Sequence, residues 1–372
     1  MKFNIKNLLN SLFLKFGYDL RRIDVREFRM EVRRSRGGGD IVLANAIIQF
    51  ARIVNLFYED KNLPEPLLIG GAWKSDLLER RTTQSNSFYR ESSALAVAEF
   101  HENMFFNELI FGLWCYGYLH AVPGVNQHSI ASFLSDLDST NRIFPTQSFL
   151  ISNVPIPTWG HRSDAGIVRF TDISHSIQAI HVVDVANYLR FVEKTQELSY
   201  IEIGSGFGGL AEKLAKSSIF DRLVLFDIPH NLITAYYYLG RCLGIDSVAL
   251  VSNRHELKDA CSDKSTHVVL CPTCFYDGVS ALDGNFVFGN FGSFSEMDFE
   301  TVKFYLNGLP KATRAIIQIN SNLKAMNTGG HVEVPCDEFP YSDNFIRVYG
   351  GAETGSGASG GRYKVSVYLK SN

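Results

Sequence analysis

The glycine-rich stretch Gly204-Ser-Gly-Phe-Gly208 has the composition of a ligand-binding loop. Glycines allow a tight turn after a strand, and they let the backbone approach a ligand without Cβ clashes. The N-terminus of a following helix offers free N–H groups to the same ligand. The stretch therefore predicts a binding loop whose contact residues are Gly204, Ser205, Gly206, Phe207 and Gly208.

These glycines fit two patterns that imply different cofactors. Gly204, Gly206 and Gly209 spell G-x-G-x-x-G, the dinucleotide fingerprint, in which the loop meets a pyrophosphate. The stretch from Glu202 to Gly208 also reads E-x-G-x-G-x-G, which resembles many S-adenosylmethionine methyltransferases. The glycines alone do not separate the two cofactors.

Two carboxylates favour S-adenosylmethionine. Glu202 lies at a predicted strand end, where a dehydrogenase needs no acid, whereas methyltransferases commonly place one beside the ammonium group of the cofactor. The alternative is that Glu202 caps neighbouring N–H groups. Asp227 ends the next predicted strand, where a carboxylate can accept hydrogen bonds from both ribose hydroxyls. The segment Phe226-DIPHNL closely resembles the D-L-P-H/E segment of small-molecule O-methyltransferases, so Asp227, Ile228 and Pro229 are also predicted to bind the cofactor.

Three motifs in fixed order resemble the bacterial sugar O-methyltransferase family. They are E-I-G-x-G-x-G-G-L-A at Glu202–Ala211, D-(L/I)-P at Asp227–Pro229 with a Y-Y-L helix at Tyr237–Leu239, and S-F-x-E-M at Ser293–Met297. The resemblance covers about residues 200–300. It implies a class I methyltransferase fold, S-adenosylmethionine as the cofactor, and methylation of a sugar hydroxyl in cell-surface glycan assembly, such as O-antigen or capsule.

Methyl transfer to a hydroxyl needs in-line geometry and a group that accepts the proton. Plant-like O-methyltransferases have a His base after the fourth strand, at a position that aligns with Gly292 here. Glu296 on the same loop is the leading substitute, with helix capping as the alternative. His161, interpreted as part of a polar loop between the two halves of the chain, is the second candidate, with a structural loop histidine as the alternative.

Polar residues near the ends of later strands are predicted to border the ligands, because open α/β sheets bind ligands at the carboxyl ends of their strands. Asn290 is predicted to contact the cofactor. Ser293 and Asn320 are predicted to contact the sugar acceptor, although Asn is also a common turn residue.

Two other functions stay open. The many aromatic residues, 13% of the chain, permit a methyltransferase that acts on a small aromatic natural product. The missing His base permits a non-catalytic subunit that only binds S-adenosylmethionine.

The elements that must position these residues change near the middle of the chain. Residues 40–195 have apolar side chains every three to four positions, which predicts helices, including one near 178–195. After residue 199, short apolar strands alternate with helices and end in a predicted antiparallel hairpin, which favours a parallel sheet covered on both faces. We therefore expect an α/β fold, with a mostly helical acceptor-shaping region at 1–195 and a class I Rossmann-like domain at 196–372. The predicted strands begin at Tyr200, Leu223, Val248, Asn285, Ala315, Phe345 and Tyr363.

Net charge and apolar content limit the partners. A net charge of −3 argues against a nucleic-acid-binding chain. The charge is uneven, since residues 1–37 hold ten Lys or Arg against four Asp or Glu. The same segment predicts either a packing helix or an amphipathic helix on an anionic membrane surface. No apolar run is long enough to span a bilayer.

The six cysteines have no pattern of pairs, which is typical of free thiols in a reducing cytosol. Cys271 and Cys274 have the spacing of half a redox or zinc site, but no second pair with metal-like spacing accompanies them. The sequence thus predicts a cytoplasmic protein without a bound metal. If the basic N-terminus forms the amphipathic helix and not the packing helix, it contacts the inner face of the membrane peripherally.

Overall fold

The computed structural model describes residues 30–33, 40–58, 88–104 without 90, 158–163, 166–324, 332–353 and 362–371, together with five helical positions between 134 and 140. The basic segment before residue 30, with its predicted membrane contact, lies outside the described residues. The described N-terminal part contains a three-stranded antiparallel sheet and two helices. These are β1 (Met30–Arg33), β2 (Thr158–Ser163), β3 (Gly166–Val168), α1 (Ile41–Tyr58) and α2 (Ala94–Met104).

An eight-stranded sheet forms the centre of the described fold, in the order β10-β11-β9-β8-β4-β5-β7-β6. Pairing is parallel from β9 to β6, and β11 runs antiparallel to both of its neighbours. The predicted α/β fold with a closing antiparallel hairpin is confirmed. The strands are β4 (Leu198–Ile203), β5 (Arg222–Asp227), β6 (Val248–Leu250), β7 (Val268–Pro272), β8 (Asn285–Phe291), β9 (Thr313–Ser321), β10 (Phe345–Ala352) and β11 (Tyr363–Lys370).

Helices cover both faces of this sheet. The first layer packs with α1 and α2 into one apolar core, and it contains α3 (Phe170–Asn187), α4 (Gly209–Ser217) and α5 (Pro229–Leu243). The second layer forms a separate core from α6 (Arg254–Ser262), a 3₁₀ segment (Thr273–Ala281) and α7 (Phe299–Asn307). Right-handed crossovers explain why the helices divide between the two faces. The chain moves first towards the β6 edge, with its helices on one face, and then back towards β9, with its helices on the other.

The structure changes three details of the sequence-based picture. The strand β7 is absent from the predicted strands, and it inserts between β5 and β6. The helix predicted near 178–195 begins at Phe170, and its last turn is a π-helix at Tyr188–Val192. His161 does not lie in a loop, since it pairs with β1 and β3 within β2. The sequence of β2, TWGHRS, contains Gly and several polar residues, a composition that also occurs in loops.

Helix α3 joins the region before residue 196 to the core of the sheet. Its residues Ile173, Ile177 and Val182 are buried in the same cluster as Leu210 and Leu214 of α4. The division into 1–195 and 196–372 stays a prediction. Among the described residues no helix is long and apolar enough to cross a membrane.

Candidate functional site

The glycine loop turns from β4 into α4 with three glycines at positive φ, Gly204, Gly206 and Gly208. Gly204 has φ +76°, and its N–H donates to the Phe226 carbonyl at 2.8 Å, which holds the loop against β5. A Cβ atom on Gly204 would lie 2.2 Å from the Ser293 Oγ atom. Gly206 has φ +57°, and a Cβ atom there would meet nothing within 4 Å. Gly206 is therefore the loop glycine that faces open space, whereas Gly204 allows close packing.

The other predicted loop residues pack inward to different degrees. A Cβ atom on Gly208 would lie 2.7 Å from Leu239 Cδ1, so this glycine lets α5 approach the loop. Phe207 is buried and meets the Tyr238 ring edge to face at 5.1 Å. The Ser205 hydroxyl is buried without a hydrogen-bond partner. Among these residues Ser205 has a polar group left for a ligand.

Asp227 clamps the loop to the start of α5. Its Oδ2 accepts the Gly206 N–H at 2.6 Å, while Oδ1 accepts the Ile228 N–H at 2.7 Å and Asn231 Nδ2 at 2.9 Å. Burial raises the pKa of Asp227 to about 6, although these hydrogen bonds oppose the rise. Pro229 occupies the first helical turn, where its missing N–H costs nothing.

Glu202 is buried in β4, and its Oε2 atom has no hydrogen-bond partner among the described residues. Burial first, and then the nearby charge of Asp227, raise the pKa of Glu202 well above its usual range, against a smaller opposing effect of the Tyr200 hydroxyl. No described backbone N–H donates to this carboxyl group, so the capping alternative does not hold. The arrangement suits a ligand that brings a cation or a strong donor to the end of β4.

Two polar residues fasten the loop after β8 to the end of β4. The Ser293 hydroxyl donates to the Ile203 carbonyl at 3.0 Å. Asn290 Nδ2 donates to the same carbonyl at 2.9 Å and to Ser293 Oγ at 2.7 Å. Asn290 is fully buried. Its amide group positions the sheet edge, and a direct contact with the cofactor would require these hydrogen bonds to break.

The hydrogen bonds continue to the end of β9. Asn320 Nδ2 donates to Asn290 Oδ1 at 2.9 Å, and Asn320 Oδ1 accepts the Ser295 hydroxyl at 3.3 Å. The Ser321 N–H donates to Ser295 Oγ at 3.0 Å. Asn320 is fully buried, so it too supports the edge and offers no free amide to an acceptor. We call the following set the edge network: Asn290, Ser293, Ser295, Asn320 and Ser321.

Glu296 ends the short 3₁₀ turn Phe294–Glu296 that follows β8. The next helix, α7, begins after Asp298, and no side-chain hydrogen bond caps it, so Ser293 and Ser295 do not act as its cap. Glu296 is half-buried at the same sheet edge as the glycine loop. A carboxylate in this place can accept a proton. His161, the second candidate base, lies on β2 of the small sheet.

A buried ionic cluster behind the glycine loop was not foreseen from the sequence. Asp172 of α3 accepts hydrogen bonds from Arg169 at 2.9 Å and from Lys213 of α4 at 3.0 Å. Burial opposes ionisation of Asp172, but these two cations outweigh it and lower its pKa. Burial lowers the pKa of His175 to about 3, and this neutral ring lies against Gly209, where a Cβ atom would come within 2.4 Å of Cε1. Lys213 lies 41 residues after Asp172 in the sequence, so no local motif predicts that contact.

The described residues contain no group of three or more His, Cys, Asp or Glu side chains that could hold a metal ion. Cys271 and Cys274 are both buried and free, in and just after β7. Burial raises the pKa of the Cys271 thiol well above its usual range, which is the property of an inert packing cysteine.

No protein-family model matches the chain, and no curated protein matches it either. Similar solved structures include magnesium protoporphyrin IX methyltransferase from Synechocystis PCC 6803 with bound SAH, at 13% identity and a TM-score of 0.32, over 55% of this chain and 89% of that one. N-methyltransferase NodS from Bradyrhizobium japonicum, also with SAH, has 12% identity and a TM-score of 0.36 over 53% and 87%. The pyocyanin biosynthetic protein PhzM aligns over 99% of both chains at 10% identity and a TM-score of 0.33. At these identities the likeness concerns the fold alone.

Proposed function

We propose that this chain is an S-adenosylmethionine-dependent O-methyltransferase that acts on a sugar hydroxyl during cytoplasmic assembly of a cell-surface glycan. The unpartnered Oε2 of Glu202 is the observation that supports the cofactor most directly. A buried carboxylate is costly unless a cation or several donors meet it. The ammonium group of S-adenosylmethionine is such a cation.

The residues around the loop fit the rest of this cofactor. Gly206 leaves open space in front of the loop, which a side chain would fill. Ser205 offers a buried hydroxyl without a partner. Asp227 lies at the end of β5, where its carboxylate can accept hydrogen bonds from ribose hydroxyls.

The chemistry then requires little more than positioning and removal of one proton. S-adenosylmethionine, when bound, supplies an electrophilic methyl group. The edge network holds the loop after β8 at the carboxyl edge of the sheet, beside the glycine loop. Glu296, on that loop, accepts the proton of the acceptor hydroxyl. The N-terminal region before residue 196 shapes the acceptor side.

Replacing Asp227 by Asn should weaken S-adenosylhomocysteine binding at least about tenfold. The amide keeps the size of the carboxylate but turns an N–H₂ group towards the N–H of Gly206 or of Ile228, so one clamp on the loop is lost. Isothermal calorimetry measures the affinity. Asp221→Asn, just before the other end of β5, is the matched control and should bind normally. Equal affinity in both variants would place Asp227 outside the site.

Replacing Glu296 by Gln should lower methyl transfer by about 10² to 10⁴-fold, the usual range for loss of a general base. S-adenosylhomocysteine affinity should not change, because Glu296 lies on the acceptor side. Single-turnover transfer from labelled S-adenosylmethionine to sugar acceptors measures the rate. A Gln variant that turns over as fast as the native chain would exclude Glu296 as the base, and His161→Gln then becomes the next variant.

The two rival functions make different predictions in the same assay. A natural-product methyltransferase transfers label to phenolic acceptors but not to sugars. A non-catalytic subunit binds S-adenosylhomocysteine yet shows no turnover with any acceptor. A protein that does not bind S-adenosylhomocysteine at all contradicts the cofactor proposal itself.

A further inference from the structure

A second polar cluster lies at the carboxyl end of β9, next to the edge network. Arg362 immediately precedes β11, whose first residue, Tyr363, pairs with Ser321 at the end of β9. Arg362 Nε donates to Ser321 Oγ at 3.1 Å, and its NH2 group donates to Glu333 Oε1. The guanidinium also lies over the Tyr363 ring, 5.8 Å from its centre. Three contacts therefore fix this group in place.

This cluster is continuous with the predicted reaction site. Ser321 belongs to the edge network, which leads through Ser295, Asn320 and Asn290 back to the glycine loop. The hydrogen bond with Glu333, and then the charges of Glu333 and Glu296, raise the pKa of Arg362. The candidate base Glu296 is thus close enough to Arg362 for their charges to interact.

Glu333 and Arg362 both keep hydrogen-bonding capacity that the described residues do not use. Glu333 is 8% exposed, and its Oε2 atom has no hydrogen-bond partner. The NH1 group of Arg362 donates to none of the described residues, and its side chain is 38% exposed. Glu333 Oε2 can accept a hydrogen bond from one hydroxyl, and the NH1 group of Arg362 can donate to a neighbouring hydroxyl. Two adjacent hydroxyls of one ligand therefore match this ion pair.

The net charge of the cluster separates the chemical classes that could bind there. Glu296 and Glu333 carry two negative charges against the single positive charge of Arg362. A phosphate or carboxylate would meet net repulsion, whereas neutral hydroxyl groups satisfy both unused positions without adding charge. A buried acceptor left unpaired costs free energy, so a hydroxyl that donates to Glu333 Oε2 gains most from binding.

We propose that Glu333 and Arg362 form an acceptor subsite that binds two adjacent hydroxyls of a neutral sugar and presents a third hydroxyl to Glu296. This assignment rests on the proposed methyltransferase function and deepens it. It selects an uncharged glycan end over a nucleotide sugar as the acceptor, since the subsite disfavours phosphate.

Ligand-observed saturation-transfer NMR on the full chain saturated with S-adenosylhomocysteine tests the subsite. The probes are the methyl glycosides of glucose, mannose, galactose, rhamnose and fucose, with UDP and inorganic phosphate as anionic probes. We expect at least one glycoside to bind the native chain, and its signal to fall at least about tenfold in Glu333→Gln and Arg362→Met. Neither anionic probe should compete.

Matched controls lie close to the same hairpin in sequence. Asp337, in a 3₁₀ turn before β10, pairs with Arg347 of β10 at 3.3 Å in an exposed ion pair outside the edge network. Asp337→Asn and Arg347→Met should therefore leave glycoside binding unchanged. Glu333→Asp keeps the charge but withdraws the carboxylate by one methylene, so it serves if the Gln variant fails to fold, and it should also lose the glycoside signal.

Three results would overturn the subsite: no glycoside signal with the native chain, a signal that survives in all three variants at Glu333 and Arg362, or displacement of the glycoside by phosphate or UDP. Failure of the proposed function looks different, because the chain then does not bind S-adenosylhomocysteine in calorimetry. Normal binding of S-adenosylhomocysteine with any of the three results refutes the subsite alone.

Discussion

Replacing Glu202 by Gln should raise the thermal midpoint of the free protein and, at the same time, weaken S-adenosylhomocysteine binding about tenfold or more. The carboxyl group is buried with an unpartnered oxygen, so ionising it in the free protein costs stability. The neutral amide removes that cost. A charge-assisted hydrogen bond to the ammonium group is worth about 1.5–3 kcal/mol, and the amide loses most of it.

The gain in stability should depend on pH in a defined direction. Burial raises the folded-state pKa of Glu202, so its contribution to stability is fully present below the usual glutamate pKa and is lost as pH rises through the folded value. The difference in thermal midpoint between the Gln variant and the native chain should therefore widen as pH rises from the usual glutamate pKa towards the raised folded-state value. Scanning fluorimetry over this range measures it.

Glu300→Gln is the matched control, because its side chain is 74% exposed on α7. Its thermal midpoint should follow that of the native chain at every pH. A Glu202→Gln protein that binds S-adenosylhomocysteine as tightly as the native chain would remove this carboxylate from the ammonium site, whatever its stability.

Replacing Gly206 by Ala should abolish cofactor binding while the protein still folds. At φ +57° a Cβ atom costs about 1–2 kcal/mol of backbone strain. It meets no atom of the described residues within 4 Å, so their packing does not change. The methyl group instead occupies the open space in front of the loop. We expect at least about a hundredfold weaker S-adenosylhomocysteine binding, equivalent to about 3 kcal/mol.

Gly244 provides the control for strain, since it also has a positive φ with open space around its Cβ position, at the end of α5. Gly244→Ala should lower the thermal midpoint by a few degrees and leave calorimetric affinity unchanged. Gly204→Ala should lose stability instead, because its Cβ atom collides with Ser293. If the Gly206 variant binds normally, the cofactor does not lie against this loop.

The order of the sheet and its binding loop could be predicted because local patterns determine them. The glycine loop lies between a strand and a helix, and this pattern predicts the β4–α4–β5 unit. It also predicts that Asp227 lies at the end of the next strand, β5. The strand β7 is not among the predicted strands because the three apolar residues before the CPTC sequence, Val268 to Leu270, have no period that distinguishes strand from turn. Its place between β5 and β6 depends on contacts that only the folded sheet supplies.

The residues at the sheet edge show a different limit of sequence reasoning. The sequence predicts Asn290 and Asn320 at the correct ends of their strands. Because side chains alternate between the two faces of a sheet, both asparagines face the second helix layer, whereas Glu202 faces the first. Arg362 and Glu333 had no motif at all. Their meeting depends on the register of β11 against β9, and that register is a property of the hairpin and not of either segment.

The order of the strands in the sequence determines when the two edge strands of the large sheet can pair. Among the strands that the structure describes, each edge strand, β6 on one side and β10 on the other, pairs only with a strand that follows it in sequence, β7 or β11. As the polypeptide leaves the ribosome, neither edge can join the sheet until its inner neighbour has been synthesised and inserted. The β9 end, where Arg362 meets Ser321, is completed only with β11. The nascent chain thus acquires its glycine loop early and its β9 edge late.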